Sequence, residues 1–177
     1  RLVGAPVTIF ASEHAVPAKV EAMRRLGAQM RQVPGGYGEA EAAGLAFAAA
    51  NQATWISPYN DGQVIAGQAT LGLEILDDLP VLPELTWVIP VGGGGLISGI
   101  AAVLAAHLKA APLASPSCYL VGVQSEASPF FHAIYHTGSQ SGVLELPSLA
   151  DGLTGPVQDG SITIPLLRAG VDDFILV

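Results

Sequence analysis

Gly92, Gly93, Gly94 and Gly95 are the residues best suited to do chemistry in this chain. They follow the apolar stretch 88–91, which reads as a buried strand, and precede an apolar helix that opens at about Leu96. A residue without a Cβ lets the backbone take φ > 0 and approach a ligand closely. The first amides of a helix have no partner inside it, and the helix dipole adds partial positive charge there. Strand, glycine run and helix N-terminus together describe an anion site, most often for phosphate. A flexible glycine linker is the bland alternative, but linkers have polar flanks and these flanks are core-like. A Walker loop needs Lys and Ser/Thr after its last glycine, and here Leu96 and Ile97 follow. The dinucleotide fingerprint needs a third glycine where Ile97 or Ser98 stands. What remains is a single phosphate held by backbone amides without a charged side chain.

The other polar candidates are weaker. His132 and His136 stand at i, i+4, but no Glu or third ligand completes a zinc pattern, so a surface or packing pair is expected. His14 and His107 are isolated. Asp77-Asp78 and Asp172-Asp173 are adjacent carboxylates whose side chains diverge, and they read as solvated. Asp151 beside Gly152 reads either as a turn residue or as part of the site. Cys118 is the one cysteine; it excludes an internal disulfide and is expected in the core.

These residues need a scaffold, and the pattern supplies one. Short β-branched runs at 6–10, 29–33, 54–56, 88–91, 119–123 and 174–177 read as strands. Helical patterns occupy 18–26, 39–52, 63–79, 96–109, 129–135 and 164–169. In the first helix Val20, Met23 and Leu26 form a stripe; in the third, Val64, Leu71 and Ile75 do. Residues 111–117 read as a Pro/Ser-rich connector. Strands alternating with helices predict an α/β fold: a parallel sheet with flanking helices. Ligands of such sheets bind beyond the carboxyl ends of the strands, where residues 92–95, Tyr59-Asn60 and Asp151-Gly152 should converge.

Composition narrows the partners. The chain has 177 residues, 50% of them hydrophobic, and a formal net charge of −8. Its seven Lys and Arg are scattered, so neither nucleic acid nor an anionic membrane finds a basic patch. The apolar run 87–106 is as long as a membrane span, but its proline and glycines make it core instead.

Residues 90–96, Pro-Val-Gly-Gly-Gly-Gly-Leu, resemble the phosphate loop of the threonine dehydratase and serine racemase group. These are fold type II enzymes, tryptophan synthase β-like, that use pyridoxal 5'-phosphate (PLP). Other blocks agree in order: 13–20 (Glu-His-Ala-Val-Pro-Ala-Lys-Val), 57–61 (Ser-Pro-Tyr-Asn-Asp), 64–68 (Val-Ile-Ala-Gly-Gln), 122–126 (Gly-Val-Gln-Ser-Glu) and 150–152 (Ala-Asp-Gly). The loop lacks the Thr usual in the related cysteine synthases. The resemblance implies that Gly92, Gly93, Gly94, Gly95 and the amide of Leu96 hold the PLP phosphate. It places Tyr59 near the cofactor ring oxygen, with Asn60 the alternative one residue on, and Gly152 along the ring. It implies that residues 1–57 are the remnant of a small mobile domain and 58–177 part of the large PLP-binding domain.

The resemblance also marks what is missing. The family's Schiff-base lysine, in Ser-x-Lys-x-Arg, and its Ser-Gly-Asn-His substrate loop fall before Arg1, and the Ser or Cys that meets the pyridine nitrogen falls beyond Val177. Lys19 and Lys109 lack the lysine's context. The chain is therefore expected to be an internal piece, truncated at both ends, with no catalytic residue of its own and no turnover alone. Its apolar faces are expected to pair with a second copy or a complementary piece. Where some relatives bind a divalent cation, this sequence has Gln124 and Phe130, so no metal is expected. The function implied is PLP-dependent deamination of threonine, serine or a relative to a 2-oxo acid and ammonia, in the cytoplasm. A racemase of the same family and a non-catalytic phosphate-binding module are the alternatives.

Overall fold

The computed structural model describes residues 4–79, 84–110 and 117–177. The chain forms two compact units, Arg1–Ile56 and Ser57–Val177.

In the first unit β1 (Thr8–Ser12) pairs in parallel with β2 (Gln29–Val33), Thr8 opposite Gln29. A parallel pair needs a crossover, and α1 (Pro17–Arg25) supplies it. Pro17 starts the helix, where its missing N–H costs nothing, and Gly27 turns the chain beyond its end at φ +89. Val20 is buried, but Leu26 is 67% exposed, so the expected stripe stops short of the helix end. α2 (Tyr37–Asn51) covers β1. The rings of Phe10 and Phe47 lie 5.4 Å apart, and the Arg31 guanidinium sits 4.4 Å from the Phe47 centroid. The strand expected at 54–56 does not form. Trp55 instead lays its ring on Gly44 of α2, so close that a Cβ there would lie 2.5 Å from it. A bulky β-former without a neighbouring strand packs as a plug.

The second unit holds β3 (Glu84–Pro90), β4 (Ser117–Gln124) and β5 (Asp173–Leu176), in that order and all parallel. Around them lie α3 (Gly62–Asp78), α4 (Gly95–Ala110), α5 (Phe130–Thr137) and α6 (Thr163–Gly170). Of the expected connector 111–117, only Ser117 is within the described residues, as the first residue of β4. The strands alternate as a pleat requires: Trp87 and Ile89 are buried, while Val88 between them is exposed. Ile97, Ile100 and Leu104 of α4 form the core with Leu120, Phe131, Leu167 and Phe174. No helix among the described residues is long and apolar enough to cross a membrane.

One expectation changes here, and another residue gains a structural role. Leu71 of α3 is exposed, and the buried side is Ile65 and Gly72. A Cβ at Gly99 of α4 would lie 2.8 Å from the Ala69 nitrogen and the Ile65 oxygen, so the two helices meet nearly backbone to backbone. Small residues make that contact, and a pattern read from bulky ones misses it. Asp172 is exposed, as expected, but it is also tied into the fold. Its Oδ2 accepts the Leu120 amide at 2.7 Å, and its own amide donates to the Leu120 oxygen at 2.9 Å. The pair ties β5 to β4 at the mouth of the ladder.

Gly122 of β4 is equally tight, since a Cβ there would lie 2.8 Å from the Phe174 ring. Gly122→Ala should destabilise the fold by about 1–3 kcal/mol, the usual cost of overpacking. The urea midpoint measures this, and Phe174→Leu in the same background should recover part of the loss.

Candidate functional site

β3 runs to Pro90, and the Val91 amide makes one more bond across the sheet, to the Val123 oxygen at 2.8 Å. The glycines then turn the chain into α4. Gly94 has φ +86, a conformation glycine takes without a Cβ clash. Its carbonyl accepts from the Ser98 amide at 3.0 Å, which opens the first helical turn. The amides of Gly95, Leu96 and Ile97 consequently have no acceptor within the helix.

Each glycine is pressed by a neighbour. A Cβ at Gly92 would lie 3.2 Å from Leu153 Cα, and one at Gly93 2.4 Å from the Tyr59 ring. At Gly94 it would lie 2.7 Å from Phe131 and 3.0 Å from Leu167, and at Gly95 2.5 Å from Gln68 Oε1. The loop is packed from behind by side chains of the same unit.

Tyr59 is buried with its ring on Gly93, and its hydroxyl accepts from the Gln158 amide at 2.8 Å. Ser57 Oγ accepts the Asn60 amide at 2.9 Å and shapes the turn, and Asp61 caps α3 through the amides of Gln63 and Val64. Both ends of the Asn60 amide group are used: Nδ2 donates to Gln158 Oε1 at 2.8 Å, and Oδ1 accepts from the Ile162 amide at 2.9 Å. Tyr59 rather than Asn60 is thus the side chain against the loop. Asp151, Gly152 and Leu153 form a single 3₁₀ turn; Gly152 is exposed, and Leu153 brings the turn against Gly92.

A glycine loop at a helix N-terminus, with no cation but with bare amides, occurs in many folds. Sequence comparison decides among them. The profile of the family described as pyridoxal-phosphate dependent enzyme matches residues 1–177. The chain belongs to that family. It is 36% identical to an L-threonine ammonia-lyase of Thermotoga maritima, across 100% of this chain and 42% of that protein. It is 35% identical to a catabolic L-threonine dehydratase of Staphylococcus aureus, across 100% of this chain and 48% of the other. Among solved structures, maize serine racemase superposes with a TM-score of 0.78 at 29% identity, covering 99% of this chain and 50% of that one. The chain thus spans less than half the length of the curated relatives it matches. Its α/β architecture is that of the fold type II members.

The residues present fit the cofactor's phosphate end. The donor set is backbone N–H at the start of a 16-residue helix, where negative charge is favoured. Among the two lysines noted above, Lys109 is in the last turn of α4. At 1.5 Å per residue it stands roughly 20 Å along the helix from Gly95. Lys19 is exposed on α1.

Gln124 and Phe130, the two positions weighed above for a cation, both lie in the interior. Gln124 is buried and its Oε1 accepts the His132 amide at 3.0 Å, capping α5, while Phe130 is buried beside it. No group of three or more His, Cys, Asp or Glu able to hold a metal occurs among the described residues. His132 and His136 form the expected packing pair, with ring centroids 4.3 Å apart and His136 Nε2 3.0 Å from the Phe174 oxygen. Cys118 is only half-buried, and burial raises its thiol pKa.

Sequence reasoning missed Gln158, Ser161 and Thr163. They lie where hydrophobic periodicity fades, between Gly155 and Pro165. Ser161 and Thr163 are nonetheless fully buried, and Thr163 Oγ1 donates to the Gly93 oxygen at 2.9 Å. The only signal was a Ser-x-Thr pair at a helix start.

Burial, and then the neighbouring His136, lower the pKa of His132, with Asp173 opposing. The fold therefore favours neutral imidazole. That stability is complete above the ordinary value near 6.5 and is lost as pH falls through the depressed one. The urea midpoint should drop between pH 7 and pH 5, and His132→Gln should flatten part of that drop.

Proposed function

We propose that the protein carrying this chain is a PLP-dependent ammonia-lyase. It would convert a small hydroxy amino acid, threonine or serine in type, to a 2-oxo acid and ammonia. The observation that carries this is the cation-free glycine loop at the start of α4, in a chain whose curated relatives are threonine ammonia-lyases. When bound, PLP supplies an electron sink for a carbanion at the substrate Cα.

This chain's residues would anchor and orient. The amides of residues 92–95 and Leu96 receive the phosphate, and the helix dipole favours its charge. Tyr59 forms a wall beside the loop, held through Gln158, and would lie by the cofactor ring oxygen. Gly152 would line the ring from the turn that touches Gly92. Residues 1–57 would be the remnant of the small domain and 58–177 part of the large one, one residue from the boundary between the two compact units. The Schiff-base lysine would come from outside this chain, so the chain alone should show no turnover. A small amino acid as substrate, association with a further copy or piece, and a cytoplasmic setting belong to the same proposal. A racemase is the second reading, favoured by the likeness to maize serine racemase.

The test is to strip the whole protein of cofactor and titrate it with PLP and with pyridoxal, which lacks the phosphate. PLP should bind at least about a hundredfold more tightly, the worth of one or two charge-assisted hydrogen bonds. Threonine or serine should then yield 2-oxo acid and ammonia in equal amounts. Equal affinity for the two cofactors would remove the anion site. Inversion of serine without ammonia would establish the racemase.

A further inference from the structure

The glycine loop needs something to aim it. A Gly-Gly peptide has no Cβ on either side, so its plane turns more freely than any other. In a trans peptide C=O and N–H point in opposite directions. The Gly93–Gly94 peptide can therefore face an anion with its N–H, which attracts, or with its carbonyl, which repels.

The buried hydroxyls decide which. Thr163 Oγ1 donates its single proton to the Gly93 oxygen at 2.9 Å. Ser161 Oγ lies 2.7 Å from Thr163 Oγ1, and since the Thr163 proton is spent on Gly93, Ser161 must be the donor in that bond. The Thr163 amide donates back to Ser161 Oγ at 3.3 Å and fixes its position. The relay runs one way, from Ser161 to Thr163 to Gly93. Both side chains are essentially inaccessible to solvent, so water offers no easy substitute donor. The Gly93 carbonyl is held toward α6, and the Gly94 N–H must point the opposite way.

We infer that Thr163, fixed by Ser161, is a positioning residue that orients the Gly93–Gly94 peptide so that its N–H meets the cofactor phosphate. This rests on the reading that the loop holds that phosphate. Losing the Thr163 hydroxyl leaves a part-buried carbonyl without its donor, and a peptide flip would relieve it by turning C=O toward the anion.

The experiment uses the whole protein, stripped of cofactor, with PLP and pyridoxal as the two probes. Thr163→Val should weaken PLP binding about tenfold to a hundredfold while changing pyridoxal binding by no more than about twofold. Thr163→Ser, which restores the donor, should recover most of the PLP affinity. Ser161→Ala should weaken PLP about threefold to tenfold, again sparing pyridoxal, and it carries the test if Thr163→Val does not fold. Unchanged PLP affinity in the folded variants, or an equal loss for both probes, would overturn the assignment. A wild-type protein that binds both probes equally would overturn the phosphate reading itself, and this inference with it. A wild type that discriminates alongside variants that discriminate as well would overturn this inference alone.

Discussion

An anion held without a cation depends on the direction of peptide groups. A lysine supplies charge from any of several rotamers, but an N–H supplies its partial charge only where its peptide plane points. The loop after β3 therefore has to be rigid although it is built from the most flexible residues. The structure meets that demand by crowding. Tyr59, Phe131 and Gln68 stand nearer to the glycines than a Cβ would allow, and Leu167 and Leu153 leave one only tight room. The Thr163 hydroxyl fixes the one carbonyl whose direction matters most. The site's electrostatics are thus set by packing contacts from α3, α5 and α6, none of which carries a charge to the loop.

The same demand explains how α4 is seated. A helix presents its free amides usefully only if its first turn cannot fray. Here Ile97 and Ile100 are fully buried and Gly99 lets the backbone of α3 approach directly. Asp61 caps α3 one residue after the turn bearing Tyr59 and Asn60, so α3's start and the wall of the loop are fixed together. Asn60 then ties that turn to Gln158 and Ile162, beside the hydroxyl pair. Loop, wall and lock form one hydrogen-bonded assembly around residues 57–61, 92–97 and 153–163.

The strands and helices of both units were legible because period-2 and period-3.6 patterns lie close to the chain, as does the glycine run between two apolar stretches. The joint order of the phosphate loop and the other motif blocks made the family legible too. What escaped was carried by contacts rather than by periods. Trp55 looks like a strand residue and is a plug over Gly44. Leu71 looks like core and is exposed, because Ile65, Ala69 and Gly72 carry the helix contact. Asp172 is the surface acid it looks like, yet it also closes the β4–β5 ladder. Ser161 and Thr163 are small and polar and look like loop; only the fold shows that their hydroxyls run to Gly93. A side chain whose role is to orient another residue's backbone leaves little mark on hydropathy.

Crowding also governs what substitutions at this site can reveal. Gly94→Asp places negative charge beside the free amides, yet the same Cβ collides with Phe131 at a backbone φ that disfavours any side chain. Loss of cofactor after that change would follow from either cause. Every glycine of the run carries the same ambiguity, since on the proposed reading each is both donor and clearance. Clean separation has to come from atoms that touch the loop without filling it. The Thr163 hydroxyl is such an atom, because valine keeps a side chain of similar size and removes the donor to Gly93 together with the acceptor for Ser161. Chemistry in this loop is thus probed best from the lock behind it, where a hydroxyl can be removed without adding bulk against the glycines.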